Sequence, residues 1–297
     1  TTQPEALRGA GVEVIPALRV GLFRTFIGRN DLRLHRKIVV IDSQIGYTGS
    51  MNLVDPRYFK QDAGVGEWIT AMVRVKGYAV LALAGTMITD WQLETGESLS
   101  DLLESANAGR TVPAGEAEIQ VVPSGPHESG DAILQMLVAM TFVARERLVL
   151  TTPYFIPDDS MKRALRGAAA RGVQVDLIVP EKVDSLFVRH ATRSYYEDLL
   201  DSGVNIQLFR GGLLHTKSIT ADGELSMFGT VNLDMRSLWL NHEVSLFVYD
   251  ADFTGRLRAL QLSYLEGAER IDPDVWRQRP AGKRFLEDTV RLVSPLL

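Results

Sequence analysis

The sequence predicts an α/β protein built from two related lobes, each a mixed β-sheet flanked by helices. The first observation behind this prediction is a His-x-Lys-x4-Asp motif that occurs twice, at residues 35–42 and 215–222. Both copies continue at the same offset into Gly-[Ser/Thr]-x-Asn, at residues 49–52 and 229–232. The second observation is an alternation of strand and helix patterns before the second copy, which is typical of helices packed on a sheet. A repeat of this kind predicts lobes related by a pseudo-twofold axis.

Composition sets limits on the function. The 297 residues contain no cysteine, which excludes disulfides and thiolate chemistry. The net charge of -5 weighs against a protein that coats nucleic acid, because such proteins usually carry a basic excess. The longest apolar stretch, residues 78–89, is shorter than the ~20 residues that span a hydrocarbon core, so no transmembrane helix is predicted.

The second half of the chain has clear sequence patterns for a series of helices and strands. Asp158 and Asp159 can cap a helix that ends at Gly172, and residues 173–179 then read as a strand. A helix at 195–202 and a strand at 204–209 follow. Residues 215–221 and 224–228 predict a hairpin, because the Asp-Gly pair between them is a strong turn signal.

The first half shows the same order only from its middle onward. Residues 4–11 match the helix end at 196–203, but nothing precedes them to match the strands and helix of 148–179. We therefore expect a first lobe that is incomplete at its N-terminus, because a sheet without its central strands has unpaired edges. The polar stretch at 97–118 predicts a boundary, with one lobe at 1–110 and the other at 111–297.

Two segments leave alternatives open. Residues 18–29 mix large apolar side chains with arginines, and they form either a loop folded on its own lobe or a basic flap that meets a membrane surface. The C-terminal segment 276–297 has the pattern of an amphipathic helix. We expect that helix to dock on the core in preference to a membrane.

The duplicated residues suit chemistry on a phosphodiester. Two ammonium groups, Lys37 and Lys217, with the amides of Asn52 and Asn232, can hold nonbridging oxygens and neutralise charge in the transition state. One imidazole can attack phosphorus and form a phosphohistidine, while the other protonates the departing alkoxide and then activates the acceptor alcohol. This mechanism predicts a bell-shaped pH profile whose pKa values belong to the histidine pair.

Each imidazole also needs a carboxylate to fix its tautomer. Glu243 and Glu67 follow their motifs in corresponding places, each at the head of an apparent strand; the alternative is a strand-end glutamate facing solvent. Tyr154 either lines the pocket or packs in the core. His127, His190 and His242 have no partner at motif spacing and are expected to be surface or packed histidines. No metal site and no cofactor are predicted, because a lysine two places from each motif histidine repels a cation.

The doubled motif resembles the phospholipase D superfamily, and within it the bacterial cardiolipin synthases. The resemblance covers essentially the whole chain. The histidine motifs are specific to the superfamily, and further stretches in the second half are specific to the synthases. These stretches are residues 152–157, 195–200, 211–218, 229–241 and 294–297.

The resemblance implies two phospholipase D-like lobes with one active site between them. His35 is implied as the nucleophile and His215 as the acid-base, each oriented by an acid from the other lobe, so that Glu243 serves His35 and Glu67 serves His215. The motif aspartates, Asp42 and Asp222, are implied to act structurally. The implied catalytic set is therefore His35, Lys37, Asp42, His215, Lys217, Asp222, Glu67 and Glu243, and the implied substrate-binding set is Asn52, Asn232, Ser50, Thr230 and Tyr154.

The implied reaction joins two phosphatidylglycerol molecules into cardiolipin and glycerol. The expected partners are phosphatidylglycerol and an anionic membrane surface, with no nucleic acid and no obligatory protein partner. The expected location is the bacterial inner membrane, with the family's anchor helices outside this chain. The alternatives are a phospholipid hydrolase, in which water replaces the acceptor lipid, and a nuclease, which the acidic balance disfavours.

Overall fold

The computed structural model describes residues 2–18, 32–55, 64–105, 111–126, 128 and 131–293. Its helices are α1 Thr2–Gly9, α2 Ala79–Thr95, α3 Leu99–Ser105, α4 Ala132–Val143, α5 Asp159–Ala170, α6 Leu186–Ser194, α7 Tyr196–Leu200, α8 Met235–Trp239, α9 Ala251–Glu266, α10 Pro273–Arg277 and α11 Ala281–Val293. Its strands are β1 Ile38–Ile41, β2 Ile45–Gly49, β3 Trp68–Ile69, β4 Met72–Lys76, β5 Glu118–Ser124, β6 Arg147–Thr151, β7 Phe155–Ile156, β8 Gln174–Pro180, β9 Asn205–Phe209, β10 Leu213–Leu214, β11 Ser218–Ala221, β12 Leu225–Gly229, β13 Leu233–Asp234, β14 Glu243–Tyr249 and β15 Ala268–Arg270.

An eight-stranded sheet dominates the second half of the chain, in the order β15-β9-β8-β6-β11-β12-β14-β5. Within this sheet β6, β8 and β9 run parallel to one another. β11, β12, β14 and β5 are joined to one another by antiparallel pairing. This mixed sheet with flanking helices confirms the predicted α/β class. Three further strands form a small sheet in the order β1-β2-β4.

The large sheet is covered on both faces, because its strands alternate between two apolar clusters. On β6, Leu148 and Leu150 pack into the main core with α4, α5 and α7. The intervening Val149 packs on the other face with Tyr264 of α9. Alternation of this kind follows from the two-residue period of a strand. This alternation decides whether a side chain of the sheet faces the main core or the cluster that contains Tyr264.

The predicted elements of the second half are present in the structure. α5 begins after Asp158, whose carboxylate accepts a hydrogen bond from Ser160 N at 2.7 Å, and the chain leaves the helix through Gly172 with φ +90°. β11 and β12 pair antiparallel, with Ala221 opposite Leu225. The hairpin between them turns at Asp222 and Gly223, both with positive φ, as the Asp-Gly signal predicts.

The residues fall into two compact units. The smaller unit comprises 1–34, 38–46 and 75–115, and the larger comprises 35–37, 47–74 and 116–297. In the smaller unit, α2 packs on β1 and places Val80 and Leu83 against Gly46. The lobe boundary predicted near residue 110 stays a prediction, and the predicted flap at 18–29 lies, beyond Leu18, outside the described residues.

β1 differs from β11, its counterpart in the second motif. β11 lies between β6 and β12, whereas β1 is at the edge of its sheet. Val39 and Ile41 of β1 are about half exposed, while the corresponding Ile219 and Ala221 are buried. The first motif is thus built on a strand that, among the described residues, lacks the counterpart of β6.

The C-terminal helices dock on the core, as expected. α11 packs against α6, and the buried Glu287 of α11 accepts a hydrogen bond from Arg193 Nε of α6 at 2.9 Å. The guanidinium groups of Arg193 and Arg279 lie 4.6 and 4.3 Å from the ring centroid of Trp276. Among the described residues, no helix has the length and apolar character needed to cross a membrane.

Candidate functional site

His35 meets an acidic side chain from the other half of the chain. Its Nδ1 lies 2.8 Å from both carboxylate oxygens of Glu243, the first residue of β14. The backbone supports this contact, because His35 N donates a hydrogen bond to the carbonyl of His242 at 2.9 Å. A carboxylate can only accept, so Nδ1 carries a proton, and in the neutral tautomer of the ring the lone pair is on Nε2.

Glu243 is held in place from several sides. Its side chain is 0% exposed, and a buried charge is tolerated only when it is hydrogen-bonded. The Thr230 hydroxyl donates to one carboxylate oxygen at 2.5 Å, and the Asn241 amide donates to the other at 3.3 Å. With His35 these donors fix the carboxylate in one orientation, which in turn fixes the imidazole.

His215 has a different partner. Its Nδ1 lies 3.0 Å from the carbonyl oxygen of Ser50, and its ring lies against Trp68 with 4.5 Å between centroids. The backbone of β10 and β3 supplies the support, since His215 N donates to Ile69 O at 2.8 Å. A carbonyl also accepts only, so Nδ1 carries the proton here too. His35 is therefore held by the strand that follows the second copy of the motif, and His215 is held by the Ser50 carbonyl of the first copy.

The expected contact between Glu67 and His215 is not formed, and the reason is register. Ala71 N donates to the Ser50 hydroxyl at 2.9 Å, just as Val244 N donates to the Thr230 hydroxyl at 2.9 Å. Ala71 and Val244 are thus equivalent, and the residue that corresponds to Glu243 is Thr70.

Glu67 lies three places earlier, where its carbonyl accepts a hydrogen bond from Leu213 N at 2.9 Å. Its side chain is exposed. Glu67 therefore corresponds to the solvent-facing alternative, and the Ser50 carbonyl occupies the place expected for its carboxylate.

The two motif lysines repeat one local geometry. Lys37 Nζ donates to the carbonyl of His35 at 2.6 Å, and Lys217 Nζ donates to the carbonyl of His215 at 2.7 Å. Burial lowers the pKa of Lys37 to about 8, although the Glu243 carboxylate opposes the change. Burial and the neighbouring Lys37 charge lower the pKa of Lys217 well below its ordinary value. Both ammonium groups therefore lose their protons more readily than an exposed lysine does.

The pKa of His215 is also well below its ordinary value. Burial is the largest cause, the Lys217 charge adds to it, and the Ser50 carbonyl opposes it. The charges of Lys37 and His35 lower this pKa further. Residues of both motifs therefore act on one imidazole, and their combined effect favours its neutral form.

The residues expected to bind substrate behave in two ways. The hydroxyls of Ser50 and Thr230 are buried and form hydrogen bonds within the protein, to the Ala71 carbonyl and to the Glu243 carboxylate. Asn232 is buried and donates to the Ser237 hydroxyl at 3.1 Å, while its side-chain oxygen has no hydrogen-bond partner among the described residues. Asn52, two residues after Ser50, is partly exposed.

Tyr154 lies beside this cluster and not in a separate core. Its hydroxyl donates to Asp184 at 2.7 Å, and burial, then Asp184, raise the pKa of the phenol far above its usual value. Burial likewise raises the pKa of Asp234, with Glu243 adding to the effect. Because β13 and β7 pair in parallel, Tyr154 lies next to the segment that carries Asn232.

The motif aspartates lie away from the histidines, at the turn after each motif strand. Asp222 has φ +53° and its carboxylate accepts hydrogen bonds from the backbone N–H groups of Arg145, Glu146 and Arg147 at 2.8–2.9 Å. Partial burial opposes ionisation of Asp222, but these donors hold its pKa below the usual value. Asp42 has φ +52° and is exposed. Asp222 is thus structural, as the resemblance implied.

Asp222→Ala is therefore expected to destabilise the protein without impairing the site. Loss of a carboxylate that satisfies three N–H groups should lower the free energy of unfolding by about 1–3 kcal/mol, since water can replace part of the contact. Denaturant unfolding measures this change, and Asp42→Ala is the matched control, with a smaller loss expected. Equal losses from the two variants would contradict the assigned role of Asp222.

Several groups in the site were not predicted from the sequence. Trp68, Asn241 and Asp234 are side chains that pack on or bond to motif residues, and the Ser50 carbonyl is a backbone group. Trp68 and Asn241 stand next to or near the glutamates in sequence, and this proximity was the available signal. A backbone acceptor has no signature in residue type.

Comparison with known proteins agrees with this geometry. Residues 138–261 match the family described as "Cardiolipin synthase, PLD-like domain". Those residues therefore resemble a phospholipase D-like domain. It is 47% identical over 294 residues to cardiolipin synthase A of Pectobacterium carotovorum, covering 99% of this chain and 60% of that protein. It is 48% identical over 291 residues to cardiolipin synthase A of Cronobacter sakazakii, covering 98% and 60%.

Similarity of fold extends beyond the matched segment. The structure is similar to that of phosphatidylserine synthase from Haemophilus influenzae, with a TM-score of 0.63, 16% sequence identity, and coverage of 90% of this chain and 72% of that one. The sequence matches confirm the resemblance to cardiolipin synthases that the doubled motif predicted. The chain spans about 60% of the length of the cardiolipin synthases it matches.

Proposed function

We propose that this protein transfers a phosphatidyl group between two phosphatidylglycerol molecules, giving cardiolipin and glycerol through a phosphohistidine intermediate. The observation that carries the proposal is the crossed support of the two imidazoles, His35 by Glu243 and His215 by Ser50. Both imidazoles and both lysines belong to the larger unit and act on one another electrostatically. Such a cluster offers two imidazoles and two ammonium groups to one phosphodiester.

In the first step, His35 Nε2 attacks phosphorus and the phosphorus–oxygen bond to glycerol breaks. The ring then carries positive charge, because Nδ1 keeps its proton, and the Glu243 carboxylate 2.8 Å away stabilises that charge. His215 donates a proton from Nε2 to the departing glycerol alkoxide. Its lowered pKa makes the protonated ring a strong acid, and the incoming phosphate anion favours protonation.

In the second step, neutral His215 takes the proton from a hydroxyl of the second phosphatidylglycerol. The resulting oxygen attacks phosphorus and His35 leaves, so the enzyme returns to its starting state. Lys37 and Lys217 neutralise the nonbridging oxygens in both steps. One phosphodiester forms for each one broken, so no nucleotide is required and concentrations set the direction.

Two other outcomes use the same machinery. If water enters in the second step, the product is phosphatidic acid and the enzyme is a hydrolase. A nuclease would require a strongly basic groove, which the net charge of -5 does not favour. The relatives at 47% and 48% identity are named cardiolipin synthases, which supports the transferase. We propose that the protein acts at the bacterial inner membrane, where its lipid substrate lies.

The proposal is tested by supplying the protein with phosphatidylglycerol vesicles in the absence of nucleotide and identifying the products. Equal amounts of cardiolipin and glycerol are expected. Phosphatidic acid without cardiolipin would replace the transferase by the hydrolase. Cleavage of DNA or RNA without either lipid product would replace it by the nuclease.

Oxyanion affinity is expected to fall as the pH rises through about 8. Below that pH, Lys37 carries the charge that an oxyanion needs; above it, the free protein holds the neutral amine, whose protonation then opposes binding. Sulfate is a suitable probe because its charge is constant in this range, and calorimetric titration from pH 6 to 10 gives the affinity. Lys37→Met should flatten the profile, and an unchanged profile in that variant would refute the role of Lys37.

A further inference from the structure

An exposed apolar pair, Leu186 and Phe187, lies at the beginning of α6. Their side chains are 68% and 62% exposed, although leucine and phenylalanine are usually buried. The helix begins here because the Ser185 hydroxyl accepts a hydrogen bond from Val188 N, and its buried side includes Ala191. The pair is therefore not the face by which α6 packs on the protein.

The pair is fixed next to the catalytic cluster. Asp184, two residues before Leu186, accepts the Tyr154 hydroxyl at 2.7 Å. Tyr154 immediately precedes β7, which pairs with β13 directly after Asn232. α6 itself packs against β7. These contacts place Leu186 and Phe187 at the rim of the site and on a structured element.

Cationic side chains accompany the pair. Lys182 is exposed and Arg189 is partly exposed, and they stand on either side of Leu186 and Phe187 in sequence. Exposed apolar residues with flanking cations match the chemistry of an anionic bilayer surface, which offers hydrocarbon below negatively charged headgroups. A segment that contacted only water would gain no stability from two exposed apolar side chains.

We infer that Leu186 and Phe187, with Lys182 and Arg189, form a bilayer-contacting rim through which a phospholipid headgroup reaches the histidines. The inference rests on the proposed function, because only a site that takes its substrate from a bilayer needs such a rim. It assigns the membrane contact to α6. The sequence suggested that role for residues 18–29, which beyond Leu18 lie outside the described residues, and for the C-terminal helix, which is docked on α6.

The test compares the wild-type protein with Leu186→Ser/Phe187→Ser in two assays. The first is co-sedimentation with, and turnover on, vesicles of equal parts phosphatidylglycerol and phosphatidylcholine. The second is turnover on dihexanoyl-phosphatidylglycerol below its critical micelle concentration, where no bilayer is present. Phe142→Ser/Val143→Ser is the matched control, because both residues are 58% exposed and Val143 lies by Asp222, at the far end of β11 from the site.

Loss of the pair is expected to lower vesicle binding and vesicle turnover at least about tenfold, with turnover of the soluble lipid within about twofold of wild type. The control variant should match wild type in both assays. Unchanged vesicle binding would overturn the inference and leave the pair as a surface for another protein. An equal loss on the soluble lipid would also overturn it. If wild type makes no cardiolipin from either lipid, the proposed function fails, while co-sedimentation still decides on the rim.

Discussion

Replacing His35 with alanine is expected to reduce phosphatidyl transfer by about 10,000-fold or more, because the variant has no nucleophile on which an intermediate can form. His35→Ala leaves Glu243 bonded to Thr230 and Asn241, so the fold should persist. Cardiolipin formation from phosphatidylglycerol measures the loss. His190→Ala is the control, since His190 lies on α6 outside both motifs.

The same histidine should carry the covalent intermediate. In His215→Ala the general acid and base are removed, so the phosphatidyl group should be retained longer on the nucleophile. Acid-free quenching after exposure to radiolabelled phosphatidylglycerol, followed by peptide mapping, should find the label on His35. Label on His215 in the His35→Ala protein would reverse the two roles while leaving the shared site intact.

Glu243→Gln and Glu67→Gln are expected to have very different effects. In Glu243→Gln the neutral amide cannot stabilise the cationic ring and can present an N–H to Nδ1 of His35, which favours the wrong tautomer, so turnover should fall by about 100- to 10,000-fold. Glu67 is exposed and its carboxylate does not reach His215, so Glu67→Gln should stay within about twofold of wild type.

Kinetics with phosphatidylglycerol and thermal unfolding should be measured on both glutamine variants, because Glu243 is buried and its substitution can also affect stability. A loss confined to turnover in Glu243→Gln, with an unchanged unfolding midpoint, supports orientation of His35. Comparable losses of turnover in the two variants would contradict the register of β3 and β4 described above.

Much of this site follows from residue pattern. The doubled motif identified both histidines and both lysines, and the position of Glu243 at a strand head led to the contact with His35 that the structure shows. The second-half elements followed as well, because Asp158, Gly172 and the Asp-Gly turn are local signals that act within a few residues.

The support of His215 could not be obtained in this way. Counting along the chain placed Glu67 in the position of Glu243, whereas the hydrogen bonds of Ser50 with Ala71 make Thr70 the equivalent residue. The acceptor itself is a backbone carbonyl, which every residue possesses. Trp68 packs on the imidazole through a strand pairing with β10 that joins residues far apart in sequence.

The burial of Lys217 beside Lys37 has a consequence for the molecule without substrate. Two ammonium groups kept close together away from water repel each other, and both lose part of their affinity for protons. An oxyanion relieves that repulsion, so it acts as a folding ligand for the native state as well as a substrate group. We therefore expect the two buried lysines to lower the stability of the protein when no anion is bound, and a bound phosphate to restore it.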